Sequence, residues 1–223
     1  MTSLQSCAVS TYVYINRPLV EAIELLAAAG WKHIEIMCEG RHGELLDWTE
    51  VQLASLARMG QAQGIRWSIH SPITGCNPAT ADEQQRAAAE ALLLDTLCVA
   101  EALGCSYVVL HAGELDTEGE ATAGLREAAQ ARVVLFLQRI LAETAGSETV
   151  IALENVPPYP GLLGTEVTEL LELAYAGGFR PRRPGVRQRP CSDGRQGPLP
   201  AYDAAGHVPP GRAASQRQCR RTG

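Results

Sequence analysis

Short apolar runs end in a polar, ligand-capable residue at a nearly constant interval, and this repeat restricts the fold more than any other feature of the chain. Arg66-Trp67-Ser68-Ile69-His70, Tyr107-Val108-Val109-Leu110-His111 and Thr149-Val150-Ile151-Ala152-Leu153-Glu154 are too short for lone helices. They suit strands buried on both faces, as in a parallel sheet. Ser6-Cys7-Ala8-Val9-Ser10-Thr11 and His33-Ile34-Glu35-Ile36-Met37-Cys38 read as two earlier strands. From Glu35 to His70 is 35 residues, to His111 a further 41 and to Glu154 a further 43. That is the length of one βα unit with its loops.

Helical patterns fill the gaps. Asn16 is expected to cap a helix that runs to Gly30, with Pro18 tolerated in its first turn and Val20, Ile23 and Ala27 as its buried stripe. Thr49 and Gln52 form a capping-box pattern before a helix that Gly64 ends. Thr80 and Glu83 repeat that pattern before a long Ala/Leu helix that stops at Gly104. Val133, Val134, Leu137, Ile140 and Leu141 stripe the next helix up to Gly146, and Thr165 starts a last one that ends near Gly177-Gly178.

Five alternations of strand and helix mean an α/β fold with parallel strands and right-handed crossovers. The first βα turn has no G-x-G-x-x-G or P-loop pattern, so nucleotide binding has no support. The expected fold is of the (β/α)8 TIM-barrel type, where strand C-termini meet at one mouth. About five units fit into residues 1–178, whereas eight would need roughly 285 residues. The first and fifth strands are then open sheet edges, which can pair with a second chain. A homo-oligomer is one expectation that follows.

From Phe179 the composition changes. Arg, Pro and Gly make up 23 of the last 45 positions, with no Ile, Lys, Glu, Met or Trp. Residues 179–223 are expected to be disordered or the product of a shifted reading frame, because Arg, Pro, Gly and Ala share GC-rich codons. The charge divides at the same place. Residues 1–178 carry nine Lys and Arg against 23 Asp and Glu, a net −14, and the tail carries +8. So acidic a body argues against a nucleic-acid groove, which needs Lys and Arg for phosphates.

The seven cysteines are scattered and lack a C-x-x-C pair, which suits reduced thiols. No leader pattern opens the chain, and no apolar run approaches the ~20 residues of a membrane helix. The expected location is the cytoplasm. Cys76 and Cys105 read as small buried side chains rather than nucleophiles, Glu114 and Asp116 as a solvated loop, and His33 and His42 as surface or loop positions. Glu154 has two readings. A charge at the end of a buried strand needs a partner, which is either a metal or substrate or a structural ion pair.

Taken together, the strand ends Ile34-Glu35-Ile36, Ile69-His70-Ser71-Pro72, Leu110-His111-Ala112-Gly113-Glu114 and Leu153-Glu154-Asn155 resemble those of the xylose isomerase-like TIM-barrel superfamily. That group joins sugar isomerases and epimerases to the type IV AP endonucleases. The resemblance covers residues 4–178 and includes Val9-Ser10-Thr11 and the Gly30-Trp31-x-x-Ile34-Glu35 passage. It implies a divalent metal (Mn²⁺, Zn²⁺ or Mg²⁺) at the mouth, with Glu154 as a ligand and, in the endonuclease manner, His70 and His111 as well. In the sugar branch the equivalent histidines more often face the substrate.

The expected activity is isomerisation or epimerisation of a small sugar or sugar phosphate through an enediolate. Glu154 and His111 are the candidate catalytic residues, and Glu35, His70 and Asn155 the candidate substrate contacts. The alternatives are a DNA-repair endonuclease with a zinc site and a non-catalytic partial barrel. The superfamily's further ligands, from strands six to eight, have no counterpart here. Asp203 and His207 stand four apart rather than three, with no strand before them, and take no role.

Overall fold

The computed structural model describes residues 7–116 and 122–179. The tail from Arg180 onward, with Asp203 and His207, lies outside the described residues. The strands are β1 (Val9–Ser10), β2 (His33–Met37), β3 (Arg66–His70), β4 (Tyr107–His111) and β5 (Val150–Glu154). The helices are α1 (Leu19–Ala28), α2 (Glu50–Gln63), α3 (Glu83–Leu103), α4 (Ala123–Glu143) and α5 (Val167–Ala176). All pairings are parallel, in the order β1-β2-β3-β4-β5. This is the βα succession of a TIM-barrel-like fold, with β1 and β5 at the edges of the sheet.

Register sorts the side chains. Ile34 pairs with Trp67, Ile36 with Ile69, Ile69 with Val108 and Val108 with Ile151. These residues share one face, and Ile34, Ile36, Ile69 and Val108 are fully buried. Each contributes roughly 1.5–3 kcal/mol relative to exposure. Phe136, Leu137 and Ile140 of α4 and Leu93 and Leu97 of α3 belong to the same core. On the other face Ser10 pairs with Glu35, Glu35 with Ser68, Met37 with His70 and His111 with Glu154. Apolar residues therefore meet the helices, and polar ones share the opposite side.

Three helix starts differ from the local reading. α1 begins at Leu19 behind Pro18, with no side-chain cap from Asn16. The Leu19 N–H is instead accepted by the Glu44 carboxylate (3.2 Å), 25 residues away in the 3-10 segment Gly40–Asp47. Its buried stripe is Leu19, Ala22, Ile23 and Leu26, and Val20 is exposed. α3 is capped by Asp82, which accepts from the N–H groups of Gln84 and Gln85, so Thr80 and Glu83 form no capping box. Thr80 accepts from the Asp82 N–H instead. α5 starts at Val167 after Glu166, two residues beyond Thr165. The Thr49–Gln52 box and the left-handed Gly64 and Gly104 caps are present as read.

His42 is not a surface residue. It is fully buried, with Nδ1 3.0 Å from Thr11 Oγ1 and Nε2 3.1 Å from the Arg17 carbonyl. Thr11 Oγ1 also accepts from the Met37 N–H at 3.1 Å, so a side chain extends the short β1 ladder. His33 is a half-buried strand residue, edge-on to Tyr107 at 5.7 Å between ring centroids. Among the described residues Cys7, Cys38, Cys76 and Cys105 are free thiols. No helix of the described residues is long and apolar enough to cross a membrane.

α2 meets β3 where the indole of Trp67 lies over Gly60, and a Cβ at Gly60 would overlap the indole nitrogen. Gly60→Ala is expected to destabilise the chain by about 1–3 kcal/mol, read from urea unfolding followed by tryptophan fluorescence. Thr49→Ala should cost about 1 kcal/mol by removing a cap far from this packing.

Candidate metal centre

Three strand ends deliver three side chains to one point. His70, His111 and Glu154 each end a strand, and Glu154 is in register with His111. His70 pairs with Val109, so His111 lies two residues further on the same face. One donor atom from each of His70, His111 and Glu154 lies within 4.8 Å of the others. The Nε2 atoms of His70 and His111 are 3.0 and 3.1 Å from the same oxygen, Glu154 Oε2. The two rings stand edge to face, 4.9 Å apart.

Protonation follows from the partners. His70 Nδ1 lies 2.8 Å from the Ser71 carbonyl, which can only accept. Nδ1 must therefore carry hydrogen. An ionised Glu154 also only accepts, so in this arrangement Nε2 carries hydrogen too, and His70 is an imidazolium. Burial opposes that charge, but the hydrogen bonds to Glu154 and Ser71 and the Glu154 charge outweigh it and raise the His70 pKa. Burial likewise opposes charge on Glu154, and hydrogen bonds from His111 and His70 overcome it, holding the carboxyl at about 2.

Glu35 sits on the same face one pleat below His70, roughly 6–7 Å along the strands. It is half-buried and hydrogen-bonded to Ser10. Its pKa is raised, chiefly by burial, with the Glu154 charge acting the same way and His70 and Ser10 against it. Asn155 is exposed beyond the end of β5, and among the described residues no hydrogen bond joins it to the three converging side chains. Glu114 and Asp116 are exposed loop residues, as read. Cys76 and Cys105 are buried, and burial pushes both thiols up to about 12, which leaves them protonated and unreactive.

The donor set is two imidazole nitrogens and a carboxylate oxygen. It suits a borderline divalent ion such as Zn²⁺ or Mn²⁺ better than Ca²⁺. Once Nε2 gives up its proton, His70 keeps its Nδ1–H on the Ser71 carbonyl, the outer contact that orients a metal-binding imidazole. The side chains therefore fit an ion.

Sequence reasoning missed the residues that hold the loops behind these strand ends. Glu39 accepts from the Ile73 and Thr74 N–H groups at 2.8 and 3.1 Å, tying the loop after β2 to the loop after β3. Asn77 binds the backbone of Glu114, and Glu169 accepts from Gly164 N–H (2.7 Å), Arg126 and Gln130. The Asn77-Pro78 dipeptide was a visible turn signal. Glu169 lies inside a helix and had no local signal.

If Glu154 holds the proton on His70, Glu154→Gln will lower the midpoint of the His70 ring titration followed by NMR. An unchanged midpoint would assign that proton to Ser71 and Glu35 instead.

The sequence model described as Xylose isomerase-like TIM barrel matches residues 23–181. An uncharacterized protein of Methanocaldococcus jannaschii is 25% identical over 165 residues, covering 74% of this chain and 54% of that protein. Among solved structures, a D-tagatose 3-epimerase-like protein is similar at 25% identity and a TM-score of 0.63, covering 74% of this chain and 58% of its own. D-psicose 3-epimerase with D-tagatose, from Clostridium cellulolyticum H10, shares the fold at 16% identity and a TM-score of 0.65, covering 77% and 59%. The chain thus spans between half and two thirds of the length of these relatives. With the parallel βα succession and the matched family model, this chain belongs to the xylose isomerase-like TIM-barrel family.

Proposed function

We propose that the strand-end cluster is the metal-binding part of a sugar isomerase or epimerase site, with His70, His111 and Glu154 as ligands. The observation that carries this reading is the convergence of three donor atoms within 4.8 Å on consecutive strand ends. The substrate class is a small sugar or sugar phosphate, supported by likeness to proteins described as sugar 3-epimerases. When bound, a divalent ion there supplies Lewis-acid polarisation of a carbonyl oxygen. The chain's own side chains do the rest. Glu154 lies at the rim, where its carboxylate oxygen not on the ion would take a proton from the carbon beside that carbonyl, giving an enediolate, and return it, while His111 would hold that carboxylate in place. Glu35 offers a half-buried acceptor for a sugar hydroxyl, and Asn155 an exposed amide at the edge.

Two measurements test this reading on the purified full chain. Saturating Mn²⁺ or Zn²⁺ should raise the melting temperature, by the equivalent of about 2.7 kcal/mol at a hundredfold excess over Kd. Glu154→Gln and His70→Ala should abolish the rise. In D₂O, D-psicose or D-tagatose incubated with the ion-loaded chain should gain deuterium at the epimerised carbon. No metal-dependent shift in the wild type would end the proposal.

A second reading has one observation in its favour. Both imidazole Nε2 atoms address the same carboxylate oxygen, which suits histidines as ligands, the endonuclease pattern, more than histidines facing a sugar. The −14 body opposes it. Abasic duplex DNA should not bind at low salt, and tight binding there would reverse the ranking.

The ion-free chain should also show a defined pH response. His70 is raised above 6.5, so its contribution is complete below pH 6.5 and fades as pH rises through its folded value. Glu154 is lowered from 4.5 to about 2, so its contribution is complete above pH 4.5 and fades as pH falls toward 2. Ion-free stability from this cluster should therefore level off between these limits. Metal affinity should instead climb with pH as His70 deprotonates, with proton release visible when calorimetry is repeated in buffers of different ionisation enthalpy.

A further inference from the structure

We propose that Asn77 is a positioning residue for the metal centre, fixing His111 and Glu154 relative to His70. The inference rests on the metal reading above.

The three strand ends run into three separate loops; the Asn77 side chain joins the loops after β3 and β4, and backbone hydrogen bonds join the loop after β4 to the loop after β5. Asn77 Oδ1 accepts from the N–H groups of Ala79 and Glu114, both at 3.0 Å, and Nδ2 donates to the Glu114 carbonyl at 2.9 Å. The amide thus closes on both backbone polar groups of one residue, as a neighbouring strand would. Glu114 lies three residues after His111 and bridges Leu162 in the loop after β5. Leu115 N–H donates to the Gly161 carbonyl and Leu163 N–H to the Gly113 carbonyl, each at 2.9 Å. The grip therefore passes from the loop behind His70, through the loop behind His111, to the loop behind Glu154.

The loop after β4 is shaped around this amide. Gly113 has φ +99, and a Cβ there would overlap Asn77 Oδ1 and come within 3.0 Å of the Ala79 nitrogen. Asn77 and His111 also line one small cavity with Ile73, Val156 and Leu163. The chemistry selects Asn: two N–H partners need an acceptor and one carbonyl needs a donor. Aspartate has no such donor and would set a carboxylate against the Glu114 carbonyl. Ligands must be held within about 0.5 Å for a metal site to form, and changes in outer contacts typically alter metal affinity 10–100-fold.

The test is Co²⁺ titration of the full chain followed by visible absorption, paired with imidazole ¹H–¹⁵N spectra of the ion-free protein. Asn77→Ala and Asn77→Asp should weaken Co²⁺ binding by about 10–100-fold, alter its absorption bands and move the His111 ring signals. Gly113→Ala presses on the same amide from the other side and should reproduce these changes, which covers the case in which a position-77 variant fails to fold. Thr49→Ala is the control: it should lower the melting temperature and leave Co²⁺ affinity, bands and ring signals unchanged. If the Asn77 variants lose melting temperature alone, with wild-type Co²⁺ affinity and bands, the proposal is overturned. If the wild type takes up no Co²⁺, the metal reading falls and the ring signals decide. His111 signals that do not move in Asn77→Ala then overturn the positioning role, and signals that move uphold it.

Discussion

The parallel ladder from β1 to β5 is the constraint on which everything else depends. A strand alternates its side chains with a period of two, and in-register neighbours share a face. Ile34, Ile36, Ile69 and Val108 therefore go to the helix side together, while Ser10, Glu35, Ser68, His70, His111 and Glu154 go to the other. A one-residue slip in β2 or β5 would turn Glu35 or Glu154 toward the α-helices and an isoleucine away from them. The hydrophobic layer and the polar site are thus one event seen from two sides, and burial of the first fixes the geometry of the second.

That geometry sets up a competition. Three polar groups at the end of a half-covered sheet need partners. They find one another, with a single Glu154 oxygen shared by two imidazoles. On the proposed metal reading an ion would replace the proton on His70 Nε2, while the Ser71 carbonyl accepts from Nδ1. The raised His70 pKa and the lowered Glu154 pKa follow from this mutual pairing, which outweighs burial at both groups. Such paired, opposed shifts in a cluster of ligand-capable groups are what metal and catalytic sites commonly show.

The loops behind the strand ends are joined side chain to backbone rather than left to their own turns. Glu39 and Asn77 each satisfy backbone groups of a neighbouring loop, and Glu169 accepts from Gly164 N–H in the loop that leads into its own helix. The mouth therefore behaves as a laced rim, in which displacement of one loop is felt by the next. A rim of this kind suits chemistry that depends on donor placement within fractions of an ångström.

The sequence by itself determined the repeat: five strands, five helices, their order, and the polar residue at the end of each of the last three strands. It could do so because periodicity, glycine stops and the Thr49–Gln52 box act within a few residues. The tertiary structure alone decided the rest. Glu44 replaced Asn16 at the start of α1, and His42 became a buried strut between Thr11 and Arg17. Only the register could show that His70 and His111 address one oxygen while Asn155 stands apart. Each of these outcomes turns on which distant group arrives within about 3 Å of a donor. That is a property of chain crossing and packing, and no local pattern encodes it.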